Sequence, residues 1–233
     1  MLALPPLIGM GYPSDVRAFP STFLSFVSIL IVLSATFFGS DAIVSEFQQR
    51  TGYALFPSPI RRRIILLGKY VASALSSLLA VSVYYAIIIV SAQAIYGTLL
   101  DELVLSYYLA VVYMLSILAF AFLLSSVMKG TTGSAVLTFF LFQMILPIID
   151  FVLNSADIDP WFSITHAGGI ISSILTMPRA MGGPGRPMQP TGAAVGIPYP
   201  LYIPEVLSSL IVMINYFAIT LLAAIYVFER REL

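Results

Sequence analysis

Five apolar runs, each about as long as a helix needs to cross a bilayer, dominate this sequence. They cover residues 21–43, 70–96, 103–127, 134–153 and 205–228. Hydrophobic residues make up 59% of the chain and charged residues only 9%, whereas soluble domains carry about 25% charged residues. The sequence therefore predicts an all-α polytopic membrane protein with five transmembrane helices. We expect residues 1–233 to form a single transmembrane domain, because too little chain remains between the runs for a soluble one.

The positive charges indicate how the chain is oriented. Cytoplasmic loops of membrane proteins are enriched in Lys and Arg. Most cations here lie in segments that the alternating runs place on the same side of the membrane: Arg50, Arg61, Arg62, Arg63, Lys69, Lys129, Arg230 and Arg231. We therefore expect a multi-pass protein of the cell membrane with a cytoplasmic C-terminus, and residues 1–20 as a proline-rich outer tail. The 11 basic and 11 acidic residues cancel, which leaves no positive field for binding nucleic acid.

Two segments interrupt the apolar pattern. The first, residues 45–69, begins with a stretch that can form a short amphipathic helix and then meets Pro57 and Pro59, which end it. We expect this segment to form a cytoplasmic coupling helix and loop at the membrane surface. The second, residues 154–204, is an outer loop. Its first part, 161–176, is apolar but too short to cross, which predicts a re-entrant or interfacial segment.

The chain lacks the residue patterns of common catalytic sites. It has one histidine and no cysteine, which excludes the zinc-protease motif and every thiolate site. Gly68-Lys69 resembles the end of a phosphate-binding loop, but Tyr70 stands where Ser or Thr is required and Arg63 where the first glycine is required. We therefore expect no enzyme and no cofactor in this chain. If ATP drives its function, another polypeptide binds that ATP and its Mg²⁺.

Three amides lie within the predicted spans, Gln93, Gln143 and Asn215, together with Tyr84 and Tyr85. The amides could line a substrate path, or they could form hydrogen bonds between packed helices. His166, in the outer loop, could bind a metal or sense pH, or it could be structural. The sequence leaves these alternatives open.

The cytoplasmic segment resembles the corresponding loop of permease subunits of ABC-2-type ATP-binding-cassette transporters. That family typically shows an acidic residue, a Thr, a Leu, a Ser-Pro, an Arg and a Gly-Lys in this order. The matching residues here are Glu46, Thr51, Leu55, Ser58, Pro59, Arg62, Gly68 and Lys69. Two departures are visible, since Arg50 replaces a common glycine and Pro57 adds a second proline.

The resemblance implies a fold of six spans with both ends cytoplasmic, so we expect the first span to be missing from the start of this sequence; a true five-span variant is the alternative. It also implies an ATPase subunit as partner, docked on the coupling loop through Glu46, Thr51, Leu55, Phe56, Pro59, Arg62, Gly68 and Lys69. A second permease chain, identical or different, completes the expected complex in the lipid bilayer.

The sequence thus predicts the permease subunit of an ABC transporter, an exporter of an unidentified substrate that uses ATP hydrolysed by a separate subunit. The alternative is a membrane scaffold that uses the same loop to hold a soluble partner. An ion-coupled carrier would need charged residues near the middle of the spans, and the sequence places none there.

Overall fold

The computed structural model describes residues 18–45, 62–97, 101–176, 187–188, 201–202 and 204–230. Its elements follow one another as α1 (Ala18–Leu24), α2 (Val27–Gly39), α3 (Arg62–Tyr96), α4 (Asp101–Val127), α5 (Thr131–Phe140), a π-helical turn (Leu141–Ile145), α6 (Leu146–Ser155), α7 (Ile164–Gly168), α8 (Ile170–Thr176), β1 (Pro187–Met188), β2 (Leu201–Tyr202) and α9 (Val206–Arg230). The two short strands pair antiparallel. Apart from these two strands, every element of the described residues is helical, and the helices form a bundle.

Within the residues that the structure describes, five helical stretches are long and apolar enough to cross a membrane: Phe19–Gly39, Arg62–Tyr96, Asp101–Val127, Thr131–Ser155 and Val206–Arg230. The first combines α1 and α2, and the fourth combines α5, the π-helical turn and α6. The prediction of an all-α membrane protein with five spans is confirmed. In the most apolar part of α4, 61% of the residues are buried, whereas in that of Thr131–Ser155 only 11% are, which makes α4 the central helix of the bundle.

Charge separates the two ends of the bundle. Lys69 of α3 bonds to Ala42 after α2, and Arg63 of α3 pairs with Glu229 of α9. We call the end where these residues meet the basic end, since all cations of the described residues lie there: Arg62, Arg63, Lys69, Lys129 and Arg230. The opposite, acidic end carries Asp101, Glu102, Asp150, Asp157, Asp159 and Glu205.

Helix α3 begins earlier than the apolar run predicts. Its 35 residues start at Arg62, whereas the sequence placed the start of this span at residue 70 and residues 62–69 in a loop. At 1.5 Å per residue the helix is about 52 Å long, well beyond the roughly 30 Å of the hydrocarbon layer. Residues 62–69, which carry the positive charges of the helix, account for about 12 Å of this excess and extend the basic end of the bundle.

The outward face of α3 is apolar along most of its length. Its exposed residues recur every three or four positions, namely Val71, Leu75, Leu79, Val83, Ile87 and Val90. This spacing places them on one side of the helix. A soluble protein would not expose such a stripe, so this face is suited to contact lipid or another membrane-spanning chain.

The fourth span contains a π-helical turn at its middle, Leu141–Ile145. Pro147 follows it on the first turn of α6 and lacks the backbone N–H that a regular helix would use. The N–H of Leu146, the residue before Pro147, donates to the carbonyl oxygen of Leu141, five residues back rather than the four of a regular α-helix. Such turns bend helices and recur at functional sites, and Gln143 lies within this one.

Candidate functional site

The turn that follows α2 is fastened to two other helices at the basic end. Residues 40–45 form this turn, and Ile43 and Val44 within it are almost fully buried. Their backbone N–H groups both donate to the hydroxyl oxygen of Ser125 in α4, each at 3.0 Å. We call residues 40–45, together with Lys69, Ser73 and Ser125, the clasp.

Helix α3 supplies the other side of the clasp. The ammonium group of Lys69 donates to the carbonyl oxygen of Ala42 at 2.5 Å. The hydroxyl of Ser73 donates to the carbonyl oxygen of Phe38 at 2.7 Å. The carbonyl of Phe38 is among the last four of α2, which lack intrahelical partners, so the Ser73 hydroxyl caps the end of that helix; Lys69 binds the turn that follows it. The end of α2 is thereby joined to the first turns of α3.

Of the predicted ATPase-docking residues, three lie in the described chain and all three are on the first two turns of α3. Arg62 and Lys69 are half-buried, and Gly68 is exposed with open space where a side chain would stand. The other predicted docking residues lie outside the described residues, namely Glu46, Thr51, Leu55, Phe56 and Pro59. The docking role of the whole set therefore stays a prediction.

A surface ion pair also joins α3 to the last helix at this end. Arg63 Nε lies 3.1 Å from Glu229 Oε1, and the two side chains are 55% and 38% exposed. Pairs this exposed contribute at most about 1 kcal/mol. The guanidinium group of Arg230 lies 4.3 Å from the ring centre of Tyr226, on its own helix.

The three amides predicted for a substrate path lie on three different helices. Gln93 is exposed near the acidic end of α3, Gln143 is half-buried in the π-helical turn, and Asn215 is exposed on α9. Asn215 Nδ2 donates to the carbonyl of Ile211 in its own helix at 2.8 Å. No hydrogen bond joins any two of these amides within the described part of the chain, so the path through them stays a prediction.

The tyrosines within the spans connect helices. Tyr84 donates to the carbonyl of Phe23 in α1 at 2.8 Å. Tyr85 lies 2.9 Å from the Ser106 hydroxyl of α4, which donates in turn to the carbonyl of Ile171 in α8 at 2.7 Å. Since the Ser106 proton is used in that second bond, Tyr85 is the donor in the first. These hydrogen bonds join α3 to α1 and α4, and join α4 to α8.

A cluster of polar residues that the sequence analysis did not single out lies at the acidic end, between α6 and α7. Asp150, which is 9% exposed, accepts a hydrogen bond from Thr165 at 2.5 Å through Oδ2, and Ser163 lies 2.9 Å from Thr165. The other oxygen of Asp150 and Oδ1 of Asn154 are buried without a hydrogen-bond partner in the described chain. Only the fold brings these residues together, although the spacing of Asp150 and Asn154 on one helical face was visible in the sequence.

His166 belongs to the same cluster. Its Nε2 lies 3.8 Å from Asp159 Oδ1, and the histidine side chain is only 10% exposed. Burial lowers the pKa of His166 below its ordinary value, and the carboxylates of Asp159 and Asp150 oppose that shift. The neutral imidazole is therefore favoured while the cluster is packed.

Close packing at a glycine fixes α7 against the central helix. A Cβ atom at Gly168 would lie 2.7 Å from the ring of Tyr113, far closer than two carbons can approach. Helices α7 and α8 contribute the buried residues Ile164, Ala167, Ile170 and Ile171 to the core. The segment predicted to be re-entrant or interfacial thus packs as two short helices against the bundle, while its depth in a membrane stays a prediction.

Comparison with known families identifies the bundle. A family model described as "ABC-2 family transporter protein" matches residues 9–233, nearly the whole chain. No curated protein matches the chain. The family resemblance drawn from residues 46–69 is confirmed, and the transmembrane component of these transporters is not the part that carries out catalysis. The chain belongs to the ABC-2 transporter family, as a membrane-spanning permease.

Proposed function

We propose that this permease exports its substrate using ATP hydrolysed by a separate ATPase subunit, which docks on the basic end of the bundle. The observation that carries the proposal is the family match over residues 9–233. The outward direction rests on the resemblance of residues 46–69 to the permease subunits of ABC-2-type transporters. The substrate class is left open, because neither the amides nor the outer loop has a chemistry that selects one.

The charge asymmetry supports a cytoplasmic basic end. The described cations gather at that end and the acidic end has none among the described residues, which is the distribution that the positive-inside rule associates with the cytoplasm. In this orientation the docking segment and the C-terminus both face the cytoplasm, where ATP is available.

The exposed amide of Asn215 supports a substrate path between two permease chains. Asn215 lies about 14 Å along α9 from its first residue, near the middle of the span. A polar group exposed to lipid at that depth is unfavourable, whereas one facing a second chain or a water-filled path is not. A two-fold complex would place two copies of this residue at its interface.

Docking is tested by placing a charge in the predicted coupling helix. We expect Leu55→Asp, and separately Phe56→Asp, to abolish co-purification of the ATPase while membrane insertion is unchanged, since a buried carboxylate disrupts an apolar contact. Ile158→Asp is the matched control, because Ile158 is 50% exposed and lies in a loop at the acidic end. Undiminished co-purification with both docking variants would contradict the assignment.

Orientation is tested by chemical labelling, since the chain has no cysteine of its own. We expect a membrane-impermeant maleimide added to intact cells to label Ile158→Cys and not Lys129→Cys, which is exposed at the basic end. Labelling of Lys129→Cys alone would reverse the proposed topology.

A further inference from the structure

The clasp lies beside both ends of the segment that the proposed function assigns to ATPase docking. Ser45 is the last described residue before residues 46–61 of that segment, and Arg62 is the first described residue after them. Ser45 belongs to the turn held by Ser125, and Arg62 opens the helix that carries Lys69 and Ser73. A displacement of the segment therefore reaches the bundle through the clasp.

The bonds to Ser125 are suited to pass on such a displacement. One hydroxyl oxygen accepts two successive backbone N–H groups, from Ile43 and Val44, at 3.0 Å each. A hydroxyl oxygen has two acceptor positions, so these bonds use both. Ser125 is 0% exposed, and neither amide can exchange its bond for water without opening the packing.

The central helix extends the connection across the bundle. Nearer its middle, α4 accepts a bond from Tyr70 of α3 at the Leu115 carbonyl, 2.8 Å, and donates one from Ser116 to Met213 of α9, 2.8 Å. Towards the acidic end Ser106 bonds to Ile171 of α8. Packed helices shift as rigid bodies, so movement of the Ser125 end of α4 also moves the acidic end.

We infer that Ser125 is a positioning residue that couples the docking segment to the central helix α4, acting through its two bonds to residues 43 and 44. This inference rests on the proposed function. A hydroxyl that merely caps the turn would contribute to stability alone, whereas a coupling residue determines whether nucleotide binding at the basic end changes the structure at the acidic end.

The test measures that change directly in the complete complex. Nitroxide labels on Ala94→Cys of α3 and Leu207→Cys of α9, both exposed near the acidic end, report the distance between these helices by electron paramagnetic resonance. With otherwise native sequence, we expect the distance distribution to shift when ATP and vanadate are added. With Ser125→Ala, we expect that shift to be lost while the ATPase still co-purifies.

Ser34→Ala is the matched control, because Ser34 is buried on α2 but its hydroxyl bonds within its own helix, to Ile31. A full nucleotide-dependent shift in Ser125→Ala, equal to that of Ser34→Ala, would overturn the inference and leave Ser125 as a cap. Absence of any ATPase from the native complex would instead overturn the proposed function, and the inference with it.

A second variant covers the case in which Ser125→Ala does not fold. Ser73→Ala removes the bond from α3 to the Phe38 carbonyl at a more exposed position, where loss of a hydroxyl is better tolerated. We expect it to reduce the distance shift without abolishing it, because it removes one of the two bonds from α3 and leaves that of Lys69 to Ala42. An undiminished shift with Ser73→Ala would count against the clasp as the coupling element.

Discussion

The hydrogen bonds of Ser106 allow a quantitative test of the packing at the acidic end. Tyr85 donates to Ser106, and Ser106 donates to Ile171, with all three groups buried. Tyr85→Phe removes one bond and leaves Ser106 bonded to α8, so we expect a loss of about 1 kcal/mol in the free energy of unfolding. Ser106→Ala removes both bonds and leaves the Tyr85 hydroxyl buried without its acceptor, so we expect a loss of about 2–3 kcal/mol.

The double variant distinguishes a bonded pair from two independent residues. Without the Tyr85 hydroxyl, no unpaired donor remains, so the double variant should lose no more than Ser106→Ala alone. The losses are then non-additive by about 1 kcal/mol or more. Unfolding in a denaturing detergent, followed by fluorescence of the single tryptophan, Trp161, measures all four proteins. Additive losses would refute the bonded arrangement.

Two further outcomes follow from the packing and charge of the bundle. Gly39→Ala should lower the unfolding free energy by about 1–3 kcal/mol, because its Cβ would lie 2.9 Å from Ala121. Gly68→Ala should raise the unfolding free energy by about 0.5–1 kcal/mol, because its Cβ would meet nothing within 4 Å. Equal effects of the two variants in a thermal melt would contradict the close approach of α2 and α4. Since burial lowers the pKa of His166 in the folded protein, the stability should fall as the pH drops below the pKa of the unfolded histidine, about 6.5. His166→Gln should flatten this pH dependence. An identical pH profile of the melting temperature in both proteins would exclude His166 as its source.

The number of spans could be predicted from the sequence because crossing lipid needs long uncharged helices and little else. The start of α3 could not, since Arg62 and Arg63 lower the hydropathy of a window without disfavouring a helix. Charged residues mark where a helix leaves the hydrocarbon layer, and α3 continues beyond that point. The π-helical turn was also missed, because apolar runs of either helix type look alike in composition.

The polar contacts of the bundle depend on the fold rather than on local sequence. Lys69 was expected to face a partner, and the structure additionally bonds it to a carbonyl 27 residues away. Asp150 belongs to no motif, and its partner Thr165 lies 15 residues further along the chain, on another helix. Serines such as Ser125 carry no motif, so only tertiary contacts reveal which of them connect helices.

Under the proposed function, this permease works with a separate ATPase. The most direct test is to tag the C-terminus, extract the complex from native membranes in a mild detergent, and measure the stoichiometry of co-purifying proteins and vanadate-sensitive ATP hydrolysis. We expect an ATPase subunit in fixed proportion to the permease, with activity that vanadate abolishes. A folded preparation without any ATPase would contradict a transport role and favour a scaffold that holds some other soluble partner.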